Sequence, residues 1–300
     1  MKMSLAYLYL LTPLHTGGAS QEGNLLGIAR ESHTDLPYIP SSTIRGRLRA
    51  ETPNDSPECK RTLLWGNTID DVTGGADDNL KQGTLWVGDG SILWLPVPSL
   101  SHGVVWVSCP LLLQRWQRLQ GNTTEVPEYS TNLKNGQSVY LKDAILKDAN
   151  LQNWENWGDF IPKADATSSV KRVVVLPDRH CATLIQMSLW RQVKVKLDAH
   201  KTVDGGFRYE EAIPPDTIMY FPWGEVKTAK PNGSAQSTNQ EFEALFTKAE
   251  ILQIGGQESL GRGFVQTWLA SNDLAKADDD EAIPLEQAIA EVEHLREASS

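Results

Sequence analysis

No stretch of eighteen or more apolar residues occurs in the 300-residue chain, so nothing in it reads as a membrane-spanning helix. Only three cysteines are present, Cys59, Cys109 and Cys181, an odd number without close pairing, which fits a reducing compartment. Apart from the adjacent His180 and Cys181, none has a cysteine or histidine at ligand spacing. Adjacent residues of a helix or strand point apart, so no metal is expected. No helix-hairpin or propeller repeat recurs. Positive charge is also in deficit: 28 Lys and Arg face 38 Asp and Glu, and the net −10, taken whole, argues against a nucleic-acid partner.

The deficit is not evenly spread. Residues 271–300 hold nine acids against Lys276 and Arg296, which is −7 of the −10 and leaves −3 on the first 270 residues. Within those, Arg45, Arg47, Arg49, Lys60 and Arg61 cluster, as do Lys171, Arg172, Arg179, Arg191, Lys194, Lys196 and Lys201. Positive patches on a near-neutral body are compatible with RNA binding. The composition, 40% hydrophobic with ten tryptophans, excludes a disordered or fibrous chain. The start, MKMSLAYLYLLTPLHT, has the basic residue and apolar run of a signal peptide but no small-residue cleavage site. It is read as a first strand, Leu5 to Leu11, of a cytoplasmic protein.

The chain then mixes helices and strands without βαβ regularity, which predicts an α+β fold with an antiparallel sheet. Ser41 and Ser42 should cap a helix from Thr43 to about Glu51, with Ile44 and Leu48 on its buried side. Free amides at its start make an anion site, and Arg45 and Arg49 lie on one face beside it. TLWVGD, SILWLPVP and GVVWVSC read as antiparallel strands, and Pro110 opens a helix with Arg115 and Arg118 outward. The long polar stretch Gly121 to Ser169, with Trp154 and Trp157, reads as a functional or flexible insertion. A helix over Pro177–Leu189 precedes RQVKVKL, whose alternation puts Val193, Val195 and Leu197 on one face and Lys194 and Lys196 on the other. FRYEEAI and TIMYFPW should be strands, and Gln240 to Ala249 a helix. Leu285, Ala288, Ile289, Val292 and Leu295 form the stripe of a terminal helix after an acidic linker.

The stretch IGGQESLGRGFV is strand, glycine-rich turn, strand. It lacks the Lys-Ser/Thr of a nucleotide phosphate loop, and no helix follows as in a dinucleotide fingerprint. Its glycines allow backbone amides to approach a ligand closely, with Arg262 supplying charge. HTGG after the first strand, RESHTDLPYIPSSTIRGRLR and this late turn, in that order, resemble the RAMP superfamily of CRISPR systems. More narrowly they resemble the backbone subunit of the type III-B (Cmr) effector complex. GTLWVGDGSILWLPVPSLSHGVVWVSCPLLLQRW and LDAHKTVDGGFRYEEAIPPDTIMYF extend the resemblance from about Leu5 to Trp268.

The resemblance implies a modified ferredoxin-like, RNA-recognition-like fold over residues 1–270, with an insertion around 121–169 and an acidic linker and helix over 271–300. It implies an antiviral ribonucleoprotein in which copies of the chain stack along a CRISPR RNA beside other subunits and position a complementary target RNA. A projecting element from each copy, drawn from 177–206 or from the insertion, would displace a base at intervals. The RNA-binding residues implied are His15, Arg30, His33, Ser41, Ser42, Arg45, Arg49, Gly255, Gly256, Gly261 and Arg262. Tyr209, Glu210 and Glu211 match a segment facing the same site from the preceding copy.

The family carries an aspartate needed for cutting target RNA shortly before the R-E-x-H run. Here the corresponding residues, Asn24 to Arg30, contain no acid. Asparagine cannot act as a base near neutral pH, and leucine neither ligates nor titrates. Candidate substitutes are Glu22 and Asp35, which would need Mg2+ or a proton to accept, and His15, which with His33 could run metal-free acid–base chemistry. Glu31 is expected to pair with an arginine. The expectation is an RNA-holding subunit with weak or absent cleavage and no required cofactor. The alternatives are an active metal-dependent endoribonuclease and a tryptophan-rich carbohydrate or peptide module using exposed Trp154 and Trp157.

Overall fold

The computed structural model describes residues 3–18, 21–22, 25–52, 60–74, 79–133, 138–226, 238–248 and 250–270. Cys59, Asn24 and the acidic linker and helix expected over 271–300 lie outside the described residues. The residues through Leu269 form one compact unit. No helix among the described residues is long and apolar enough to cross a membrane.

The chain opens with β1 (Met3–Leu10), then β2 (Gln21–Glu22) and β3 (Leu25–Leu26) in the first loop, then α1 (Ser41–Glu51), α2 (Lys60–Trp65) and α3 (Ile69–Thr73). A hairpin of β4 (Gly90–Ser99) and β5 (Gly103–Ser108) leads into α4 (Pro110–Leu119). After the insertion come β6 (Val173–Val175), α5 (Asp178–Ser188), β7 (Trp190–Leu197), β8 (Val203–Ala212) and β9 (Ile218–Glu225). Helix α6 (Thr238–Lys248), β10 (Ile251–Gln253) and β11 (Phe264–Leu269) complete the unit.

The main sheet runs β6–β5–β4–β9–β1–β11–β10, with short strands added at its margins to make eleven. In β1, even-numbered Ala6, Leu8 and Leu10 face one layer. There they meet Phe221 and Trp223 of β9, Ile44 and Leu48 of α1, and Phe242 and Phe246 of α6. Phe242 stacks on Trp223 with ring centroids 4.0 Å apart. Odd-numbered Tyr7 faces the other side, stacked on Trp268 at 5.4 Å and accepting a hydrogen bond from the Trp116 indole. This period-2 division, two buried faces on one strand, is why β1 reads as almost continuously apolar.

Four expectations need correction. The sheet is mixed, because the chain leaves β5 through α4 and the insertion and returns as β6, which pairs with β5 in parallel. A crossover of that kind gives parallel neighbours, where a tight hairpin gives antiparallel ones. Helix α1 starts at Ser41, with Pro40 as its N-cap and no side-chain cap, so both serines sit inside its first turn. The insertion is folded: Trp154 is buried against Phe160 and Trp94, whose indole donates to the Phe160 carbonyl at 2.8 Å. That burial removes one of the two rings the carbohydrate or peptide module required. Finally, Cys109 and Cys181 meet, since β5 and β6 end side by side and each feeds a helix. Their mutual hydrogen bond and complete burial push the Cys181 thiol well above its ordinary pKa.

Candidate functional site

The loop after β1 and the glycine-rich turn are laced together by backbone bonds. Gly256 donates to the His15 carbonyl at 2.9 Å, Gly263 to Pro13 at 3.0 Å, and Phe264 to the Thr12 hydroxyl at 3.0 Å. Gly255 has φ +85, and a Cβ there would lie 2.4 Å from the His15 carbonyl oxygen, so no other residue fits. His15 itself is buried, its Nδ1 2.9 Å from the Glu211 carbonyl. A carbonyl only accepts, so Nδ1 carries a proton and donates it.

Next to this loop, β7 and β8 leave the body as a hairpin arm. Its residues from Arg191 to Tyr209 are exposed apart from half-buried Lys194. In its register Val193 faces Tyr209 and Val195 faces Phe207, while Lys194 faces Arg208. Directly opposed residues share a face. One face is therefore apolar and aromatic, and the other cationic.

The arm is fastened at its root by two adjacent acids at the end of β8, which alternate to opposite faces. Glu210 binds Arg262 at 3.0 Å and the Lys194 ammonium at 2.6 Å. Glu211, 1% exposed, binds Arg30 at 2.8 Å and Arg191 at 2.9 Å. Leu25, Arg30, Asp35, Gln186, Arg191 and Glu211 help line a polar pocket of about 410 Å³ beside it. Strand β3 pairs in parallel with β8, opposing Leu25 to Tyr209, and so brings the first loop to the arm.

Two placements contradict the residue-by-residue expectation. Arg262 is 4% exposed, with its guanidinium 4.4 Å over the Trp190 ring and bonded to Glu210, Gln192 and Gln257. It is a buried brace and offers no free charge to a phosphate. At α1 the first amide, Ser41 N–H, is taken by the Asp89 carboxylate at 2.6 Å, so an internal anion occupies one amide of the site expected for a ligand. Arg45 and Arg49 both donate to carbonyls at the end of α2, Arg45 to Trp65 and Arg49 to Trp65 and Gly66. Burial, then the Arg49 charge, lower the Arg45 pKa. Cations at a helix C-terminus complement its dipole, which gives these arginines a structural task.

The remaining residues lie around the turn after Arg30. Glu31 pairs with Arg115 at 2.5 Å, so Arg115 is drawn inward rather than facing solvent. His33 is exposed, 3.8 Å from Glu31. Asp35 sits at φ +57 with an exposed carboxylate 3.8 Å from Arg30. The backbone of Glu22 pairs with Leu25 at the margin of the small sheet. The structure thus joins His15, Arg30 and Arg262 through Glu210 and Glu211, with Gly255 and Gly256 against His15, while Ser41, Arg45 and Arg49 have a separate partner set and Ser42 is exposed in the first turn of α1. Among the described residues no group of three or more His, Cys, Asp or Glu is placed to hold a metal ion.

For Glu210, burial works to raise the pKa, but Lys194, by hydrogen bond and charge, and the Arg262 charge outweigh it and hold it below 4.5. Glu31 behaves alike: burial raises, and the bonds from Arg115 and Thr34 lower it further. A folded value below the unfolded one contributes stability above about pH 4.5 that is lost as pH falls through the depressed value. The melting midpoint should therefore hold from pH 7 to about 5 and decline below about 4.5. The Glu31→Gln/Glu210→Gln double variant should show a lower midpoint and a shallower acid decline.

Comparison with known proteins places this geometry. The chain is 29% identical over 294 residues to the CRISPR system Cmr endoribonuclease Cmr4 of Pyrococcus furiosus, covering 90% of this chain and 96% of that protein. The crystal structure of oligomeric Cmr4 from Pyrococcus furiosus superposes with a TM-score of 0.62 at 28% identity, covering 90% of this chain and 98% of that one. A chain of the type III-B Cmr-beta assembly bound to cognate target RNA shares the fold, with a TM-score of 0.68 at 20% identity over 91% and 98% of the two chains. The RAMP superfamily model matches residues 7–266, nearly the whole compact unit, and the chain belongs to that superfamily.

Proposed function

We propose that this chain is a CRISPR-RNA-binding backbone subunit of a type III-B antiviral effector, stacking with copies of itself and other subunits and positioning complementary target RNA. The observation that carries it is the two-faced arm rooted against the glycine-rich turn. Lys196 and Arg208 suit phosphates, and Phe207 and Tyr209 suit unstacked bases. The arm falls largely within the 177–206 segment and is our choice for the projecting element. The turn 255–261, with Gly256 and Gly261, would meet the guide backbone without reading its sequence.

A ferredoxin-like core is supported by strand order. Taking β1, β4, β9 and β11 as four strands in sequence, the sheet reads fourth, first, third, second, all antiparallel. Helices α1 and α6, one in each crossover, pack on one face. The domain is read as 1–270 with the insertion at 121–169, followed by the acidic 271–300, and the assembly is placed in the cytoplasm.

Cleavage by this subunit is read as weak or absent. The acid of the family's cutting loop is missing, the His15 ring is buried, and Asp35 lies beside Arg30. The described residues do not form a protein-held Mg2+ site, so no step is drawn through one. The test assembles the complex with guide, Mg2+ and labelled complementary RNA. Intact target supports the reading; regularly spaced products lost on Glu22→Ala or Asp35→Ala defeat it. A filter-binding series over salt should give a log–log slope of about −0.7 per phosphate contact, and a flat response would defeat RNA binding altogether.

A further inference from the structure

Arg262 joins parts that the sequence keeps far apart. Its guanidinium lies over Trp190, the first residue of β7, and donates to Gln192 two residues further along the same strand at 2.7 Å. It also donates to Glu210 of β8 and to the side chain of Gln257. Gln257 opens the glycine-rich turn in the left-handed region at φ +67, a conformation that a non-glycine residue holds only when its surroundings fix it. The Arg262 carbonyl meanwhile accepts from Gln253, which also bonds Gly255, so the cation's own backbone belongs to the turn it braces.

A planar, permanently charged fork with several acceptors in fixed directions transmits geometry in a way a flexible ammonium does not. The arm needs such a fixture, because beyond Tyr209, the last point where β3 pairs with β8, it is a two-stranded ribbon with both faces in solvent and has no packing of its own to set its direction. On the opposite side Glu211, held by Arg30 and Arg191, prevents the root from rotating about Arg262.

We propose that Arg262 is a positioning residue that couples the glycine-rich turn to the β7–β8 arm, so that RNA seated on the turn sets the direction of the arm. The coupling rests on the RNA-binding reading for its purpose, but its mechanical part stands without RNA.

The test is amide hydrogen exchange on the full chain, with and without a short single-stranded RNA. Arg262→Met should speed exchange by about tenfold or more both at the arm root (190–193, 209–211) and in the turn (256–261), as expected for losing hydrogen bonds to a charged group. Gln192→Ala, on an exposed strand position, removes a single acceptor and should loosen both regions to a smaller extent; it decides the matter if Arg262→Met does not fold. Arg262→Lys should restore charge but not the joint protection. In wild type, RNA should slow exchange in the turn and arm root together, and in Arg262→Met in the turn alone, a pattern that a merely structural role would not produce. The coupling is overturned if the turn loosens while the arm root stays at its wild-type rate. If wild type binds no RNA, the functional reading fails while the exchange comparison still decides the coupling.

Discussion

Gly263→Ala should lower the melting midpoint far more than Gly261→Ala, although the two glycines are neighbours in one turn with similar φ, +76 and +72. A methyl group at 263 would lie 1.9 Å from the Ile254 carbonyl oxygen, inside the pairing in which Ile254 donates to Gly263 at 2.8 Å. The carbonyl is backbone and cannot swing aside, so the two sides of the hairpin must part at the Ile254–Gly263 pairing. A methyl at 261 meets nothing within 4 Å and carries only the left-handed penalty. That penalty is about 1 kcal/mol, and the clash adds enough to bring Gly263→Ala to about 3–4 kcal/mol. For a chain of this size the difference is about 5–10 °C in midpoint. The RNA response should run the other way in proportion to stability. The open space at Gly261 is where a ribose-phosphate strand could approach the amides, so Gly261→Ala should lose about tenfold in affinity while remaining folded. Equal melting of the two variants would remove the structural account of the turn, and wild-type RNA binding by Gly261→Ala would remove the ligand-facing account.

Much of this architecture was legible in the sequence because it rests on local signals. Alternation in RQVKVKL marks a strand, Pro110 marks a helix start, and the glycine run marks a turn between strands. What was not legible is which groups arrive from elsewhere to satisfy a charge. An arginine between glycines reads as a surface cation, but Glu210, Gln192 and Trp190 converge on it from the arm. The signal that could have found this is the adjacent pair Glu210–Glu211 followed by apolar Ala212 and Ile213: at the end of a strand, neighbouring acids must face opposite ways, and each needs its own cation if buried. In the same way, amides opening α1 looked free until β4 brought Asp89 to Ser41. Tryptophans mislead for a related reason. Trp154 sits in a polar stretch, yet its ring completes a cluster with Trp94 and Phe160 that no local window contains.

The arm, by contrast, exposes the apolar face that its alternation sets apart, and that exposure is the basis of the second large effect. Val193, Val195, Phe207 and Tyr209 share one face and each is between 42% and 51% exposed, so truncating them removes little packing from the body. Phe207→Ala should leave the melting midpoint of the free chain within about 2 °C of wild type, since surface changes away from packed features cost about 0.5 kcal/mol or less. In the assembled complex the same change should cost about 1–3 kcal/mol of target affinity, the range for one stacked base, or about 5- to 150-fold. Because an aromatic ring carries no charge, the salt slope should be unaltered. Lys196→Ala/Arg208→Ala, on the opposite face, should do the reverse, flattening the slope by about 0.7 per lost phosphate contact in a single strand. Lys196 pairs with the exposed Asp204 at 2.8 Å, so its removal leaves no buried charge behind there. The two faces would then be separable by one experiment, a double-mutant comparison of affinity against salt. Should Phe207→Ala change the slope, or should both variants weaken binding with identical salt dependence, the division of labour between an apolar wedge and a cationic rail is wrong.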